Sequence, residues 1–173
     1  MSTSTSPLSL EAYAELPDSA QLKILSITQE LTQPVADDFL SRFKLLFQAW
    51  HQDGKIQNAS GAYQLHRAFL ILAYQPTADD LSGCTKDQMT HMIQHQEQEF
   101  GFPLLSTPRF APFINGKVEF LSQKQFRQKR EEGIITDSTL VCDHLIATLG
   151  ELRVGKFLPS VTESWYAPIG ASN

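Results

Sequence analysis

Cys84 stands directly before Thr85-Lys86-Asp87-Gln88, a capping-box pattern in which Thr85 serves the Gln88 amide and Gln88 reaches back. A sulfur placed there lies near the free amides that open a helix, and their positive potential favours a thiolate. The same position also suits a small hydrophobic staple onto Met89, and spacing alone brings no histidine to Cys84 as its base. Cys142 sits among Val141, Leu145 and Leu149 and reads as core. Two cysteines are too few for a disulfide framework or a four-thiolate zinc site, so reduced thiols in a cytoplasm are expected.

Four other patterns carry chemistry in principle. Gly150-Glu151-Leu152-Arg153-Val154-Gly155-Lys156 matches the spacing of a phosphate-binding loop. Phe157 replaces the hydroxyl that would hold Mg²⁺, and Pro159 obstructs the helix that should follow, so Gly155 reads as a helix C-cap instead. His91 and His95 share one helix face at metal-ligand spacing, but Met92 stands where a metalloprotease needs its glutamate and no third ligand follows. Asp79, Asp80 and Asp87 bracket Ser82-Gly83-Cys84 without the spacing of a calcium loop. Lys124, Arg127, Lys129 and Arg130 form the one basic cluster, which Glu131 and Glu132 follow at once with no interleaved aromatic platform. No metal and no cofactor is expected from these residues.

The elements that must position these groups follow from periodicity. The chain has 173 residues, 42% hydrophobic against 19% charged, which suits one globular domain, and its net charge of -5 is spread over both halves. Bulk charge of that sign recruits neither nucleic acid nor an anionic membrane. The Ser/Thr-rich start lacks a signal peptide's basic and apolar regions, and the longest apolar stretch, Ala68 to Tyr74, falls far short of the roughly 20 residues that cross a bilayer.

Residues 1–20 read as a flexible or loosely packed N-terminal segment with a weak helical patch at Leu10 to Leu16, and residues 21–173 as a single globular domain. A strand is expected over 21–28, and then a helix whose stripe runs from Phe39 to Trp50, with Asp37 as cap and Gly54 past the end. One strand should span Ala62 to Tyr74, followed by a helix from Thr85 to Gly101 that faces inward with Met89, Met92, Ile93 and Phe100. Asn115-Gly116 marks a type I′ hairpin between Phe110 to Ile114 and Lys117 to Leu121, with Pro112 placing its strand at an edge. A short charged helix over Gln123 to Glu132 precedes a helix capped by Asp137, with Val141 to Leu152 inward and Asp143, His144 and Glu151 outward. Trp165 and Tyr166 should dock the tail. The fold class is therefore α+β: a mixed sheet of about four or five strands with helices mainly on one face, in the order β-α-β-α-β-β-α-α. The first β-α-β connection is right-handed if its strands are parallel.

Trp50-His51-Gln52-Asp53-Gly54, the turn Ser82-Gly83-Cys84-Thr85-Lys86-Asp87, Leu104-Leu105, the acid and aliphatic pattern Asp137 to Glu151, and the closing Glu163-Ser164-Trp165 resemble a family of small uncharacterised bacterial proteins often labelled ABC transporter ATPases. The resemblance covers about residues 20 to 166 and implies no established activity. It marks the Ser-Gly-Cys turn as a functional surface, with Cys84 the weak catalytic candidate and Thr85, Asp87 and Trp165 the weak binding candidates. The ATPase label lacks support in the residues, because Leu81-Ser82-Gly83 continues with Cys84-Thr85 and departs from an ABC signature. No catalytic constellation survives this reading. A soluble, non-enzymatic binding or interaction module with a small-molecule or protein partner is expected, the rival being a thiol-dependent enzyme or redox-responsive protein that uses Cys84.

Overall fold

The computed structural model describes residues 6–104 and 110–170. Residues 1–5, at the front of the segment expected to be loose, and Leu105 of the Leu104-Leu105 pair lie outside them. The secondary structure is α+β as expected, with the strands shared between two three-stranded sheets, antiparallel throughout, in place of one mixed sheet. The stretch 21–173, read as one globular domain, divides by its contacts into two compact units. Unit 1 is Met1–Leu105 with Ala147–Gly150, and unit 2 is Ser106–Ile146 with Glu151–Asn173.

In unit 1, β1 (Gln21–Ser26), β2 (Ile56–Gln64) and β3 (Phe69–Pro76) pair in the order β1-β3-β2, so no parallel crossover arises. Every residue of β3 from Phe69 to Tyr74 is buried, as a strand covered on both faces requires. The single strand expected over Ala62 to Tyr74 is in fact two, joined by a turn in which Leu65, His66 and Arg67 all have positive φ (53°, 55° and 65°). No glycine or asparagine announces that turn. It is held by the Arg67 guanidinium, which donates to the Leu31 carbonyl at 3.0 Å and to the Gln33 side chain.

Helix α1 (Gln33–Gln52) begins before Asp37, because Pro34 lies in the first turn, where a missing amide costs no hydrogen bond. Ala36, Phe39, Phe43, Phe47 and Trp50 recur at three- and four-residue steps and lie against Leu70, Leu72 and Tyr74 of β3. Helix α2 (Gly83–Phe100) adds Met89 and Ile93 to the same cluster. The two helices are tied by Trp50 Nε1 donating to Gln88 Oε1 at 3.0 Å. The Arg42 guanidinium adds a fork onto Glu99 at 2.5 and 2.9 Å. The N-terminal segment, expected to be loose, is docked: Tyr13, Leu16 and Ala20 are buried, and the Tyr13 hydroxyl donates to the Ile71 carbonyl at 2.8 Å. The Gln64 amide clamps the Ser9 backbone at 2.8 and 2.6 Å.

Unit 2 holds β4 (Pro112–Ile114), β5 (Lys117–Val118), α3 (Gln123–Glu131) and β6 (Leu140–Val141). Asn115 and Gly116 take φ of 52° and 78°, the type I′ turn expected. Pro112 does not mark an edge, for the sheet order is β5-β4-β6; as the first residue of its strand it has no ladder amide to forfeit, and its carbonyl accepts from Glu119 N. A capping box of Ser122 and Gln125 opens α3.

The long helix expected after Asp137 is absent. Thr139 Oγ1 takes the Thr136 amide and Asp143 Oδ1 takes the Leu145 amide, so local side chains occupy the backbone groups a helix would use. Only α4 (Leu149–Arg153) is helical there. The tail docks as expected: Val141 N donates to Pro159 O and Val161 N to Thr139 O, while Tyr166 is fully buried beside Phe110 and Phe126.

Tyr13 provides a test of the docked segment. In a Trp165→Phe background, where Trp50 alone fluoresces, Tyr13→Ala should lower the unfolding free energy measured in urea by about 3 kcal/mol, the range for emptying a large buried side chain. A loose segment would leave it within about 0.5 kcal/mol, as surface changes do.

Candidate functional site

At the head of α2 the residue that caps is Ser82, whose Oγ accepts from Thr85 N at 3.2 Å, and not Thr85. Thr85 is buried, its hydroxyl 2.9 Å from Ser82 Oγ, so it holds the turn together. Cys84 therefore lies inside the first helical turn, three residues past Leu81, which holds the position before the cap that a staple would need, and is exposed. Asp87 is exposed on the next residues of the same turn. Among the described residues no histidine or carboxylate hydrogen-bonds Cys84. Asp80 is drawn instead to Lys86 at 2.6 Å and to the Leu81 amide, which together hold its carboxyl below the usual range.

His91 and His95 are exposed on α2, with His95 Nδ1 4.0 Å from Glu99, and among the described residues no group of three metal-ligating side chains converges. In the basic cluster, Lys129 meets Glu119 at 3.4 Å and Arg130 meets Asp137 at 3.1 Å. The two glycines of the loop-like motif have separate structural work. A Cβ on Gly150 would stand 3.2 Å from the Asp18 carbonyl. Gly155, at φ 85°, closes α4 with its amide on Leu152 O and the Lys156 amide on Glu151 O, a Schellman pattern.

Trp165, a binding candidate, is part of the aromatic cluster of unit 2 and lies 4.3 Å from the Tyr166 ring, centroid to centroid. Its neighbour is His144, 6.1 Å away and edge-on. The helical wheel had placed His144 towards solvent; it is half-buried because the helix is absent. His144 hydrogen-bonds the Cys142 backbone, whose carbonyl also accepts from the Tyr166 hydroxyl at 2.9 Å. His144 Nε2 and Trp165 Nε1 are both buried without a hydrogen-bond partner, an acceptor and a donor in one neighbourhood. Burial holds the His144 imidazole below its ordinary value of 6.5, and it pushes the buried Cys142 thiol well above the usual thiol range.

Two of the surface grooves have apolar side chains in their lining. One, of about 390 Å³ in unit 1, runs between α1 and the start of β2, with Phe47 and Ile56 among polar neighbours that include Lys44 and His51. The other, of about 490 Å³ in unit 2, is lined by Leu145, Ile146, Val154, Leu158 and Pro159 and rimmed by Asp143, Glu151, Glu163 and Lys156. Leu145 and Val154 are 62% and 72% exposed, among the most exposed large apolar side chains of the protein. Neither could be singled out in the sequence, where Leu145 read as part of a helical stretch that is not there and Val154 as the last residue before the Gly155 cap. Comparison with protein-family models, with curated proteins and with solved structures finds no match.

Two outcomes follow. Brief alkylation of the native protein should label Cys84 and spare Cys142 until denaturant is added, as peptide mass mapping will record. The stability that His144 contributes is complete above about pH 6.5. It is lost as the pH falls through the depressed native value, because the unfolded imidazole binds a proton more readily. His144→Gln should therefore flatten the acid side of the stability profile measured by urea unfolding.

Proposed function

We propose that this chain is a non-enzymatic binding module that docks another protein through the groove of unit 2. The observation that carries this reading is that Leu145 and Val154, both largely exposed, line one groove floored by Ile146, Leu158 and Pro159. Apolar surface gathered in this way loses contact with water when a partner covers it, and an apolar centre within a polar rim is the usual anatomy of an interface. A small ligand needs most of its surface enclosed, which walls as open as Val154 do not supply.

The thiol rival has an accessible nucleophile in Cys84 but, among the described residues, no base hydrogen-bonded to it. Two free thiols support a reducing compartment such as the cytoplasm, and the carboxylate partners of Lys129 and Arg130 weigh against nucleic acid. Among the described residues no helix is long and apolar enough to cross a membrane.

Photo-cross-linking in the native cell tests the reading. With Val154 or Leu145 replaced by p-benzoylphenylalanine, irradiation should yield a protein adduct of discrete mass. The same group at the exposed Glu30 should not, and Cys84→Ser should leave the adduct unchanged. Equal yields at positions 154 and 30, or an adduct that requires Cys84, would dismiss it.

A further inference from the structure

The groove of unit 2 is not neutral. Its rim carries the carboxylates of Asp143, Glu151 and Glu163 against the single ammonium of Lys156. Of these, Asp143 is fixed in place, since its Oδ1 accepts the Leu145 amide at 3.0 Å. Glu163 projects from the 3-10 turn Val161–Glu163 and is exposed. The apolar centre and the charged rim belong to the same few residues: Leu145 lies two positions from Asp143, and Val154 two from Lys156. A partner that covers the apolar walls must therefore bring its flanking groups against at least two carboxylates. A like-charged segment would be repelled there, and a neutral one would leave the carboxylates stripped of part of their water without compensation.

Resting on the docking reading above, we propose that the occupant is a segment of another protein whose leucine-like side chains fill the groove between lysines or arginines that face Asp143 and Glu163. Apolar contact supplies the affinity. The charges set the choice of partner and the rate of encounter, and their share is screened by salt.

Three fluorescein-labelled twelve-residue peptides, alternating leucine with lysine, with serine or with glutamate, test this by anisotropy on the full chain. The leucine–lysine peptide should bind most tightly at low salt. The double variant Leu145→Ser/Val154→Ser changes only exposed side chains and should keep the wild-type circular dichroism spectrum; it should weaken that binding at least tenfold. Glu163→Lys should weaken it about threefold and Lys156→Glu should tighten it by a similar factor, the scale of one exposed ion pair. If lysine and serine peptides bind alike and neither charge variant matters, the basic partner is wrong while apolar docking stands. If no peptide binds, or binding ignores Leu145→Ser/Val154→Ser, the docking reading falls with it. Sedimentation showing a dimer that Val154→Glu dissolves would assign the groove to a second copy of this chain and overturn the proposal.

Discussion

A strand with apolar side chains on both faces has to be covered twice, and β3 imposes that demand on unit 1. Leu70, Leu72 and Tyr74 lie under α1, and Ile71 accepts a hydrogen bond from Tyr13 beyond the opposite face. Five fully buried residues in a row, Phe69 to Ala73, leave no position at which the strand could tolerate water. The long stripe of α1 and the burial of the N-terminal segment are both answers to that one requirement. So is the strained turn at Leu65-His66-Arg67: it must bring β2 alongside β3 in a register where Gln64 faces Phe69, and the Arg67 contacts with Leu31 and Gln33 hold it there.

Unit 2 is organised differently, around polar groups that are satisfied inside an aromatic cluster. The Tyr166 hydroxyl accepts the Ala111 amide at 3.0 Å and donates to the Cys142 carbonyl, so one side chain from the tail completes the backbone of two strand-like segments. Burial holds the phenol in its neutral, donating form by pushing its pKa far up. His144 and Trp165 border this arrangement with one unmet acceptor and one unmet donor.

What the sequence discloses is what local chemistry decides. The stripe of α1, the I′ turn at Asn115-Gly116 and the Gly155 cap each depend on a few neighbouring residues, and each is found as read. The errors share another cause. The period from Val141 to Leu152 imitates a helix, but Thr139 and Asp143 bond their own neighbourhood and the segment over Phe157–Val161 supplies the remaining partners. Leu65-His66-Arg67 turns without glycine because a distant arginine contact holds it, and that contact is invisible along the chain. The candidate turn at Cys84 was legible within three residues of its true cap, Thr85 being expected where Ser82 serves. The groove of unit 2 was not, since Leu145 is exposed only because the expected helix fails to form around it, while Val154 follows the short α4.

The return of the chain to unit 1 for four residues has a consequence for its biogenesis. Ala147–Gly150 supplies the carbonyl that Leu22 N meets and the amides that meet Ala20 O and Asp18 O, which places late residues along the outer side of the earliest strand. A ribosome releases the chain in order, so β1 can pair with β3 long before these last partners emerge. Until then its outer edge stays open, an uncovered template for strand addition by any other nascent chain nearby. Completion of the first unit is thus tied to synthesis of the larger part of the second one, and a pause or stop codon between residues 105 and 147 would release a first unit with its edge unguarded.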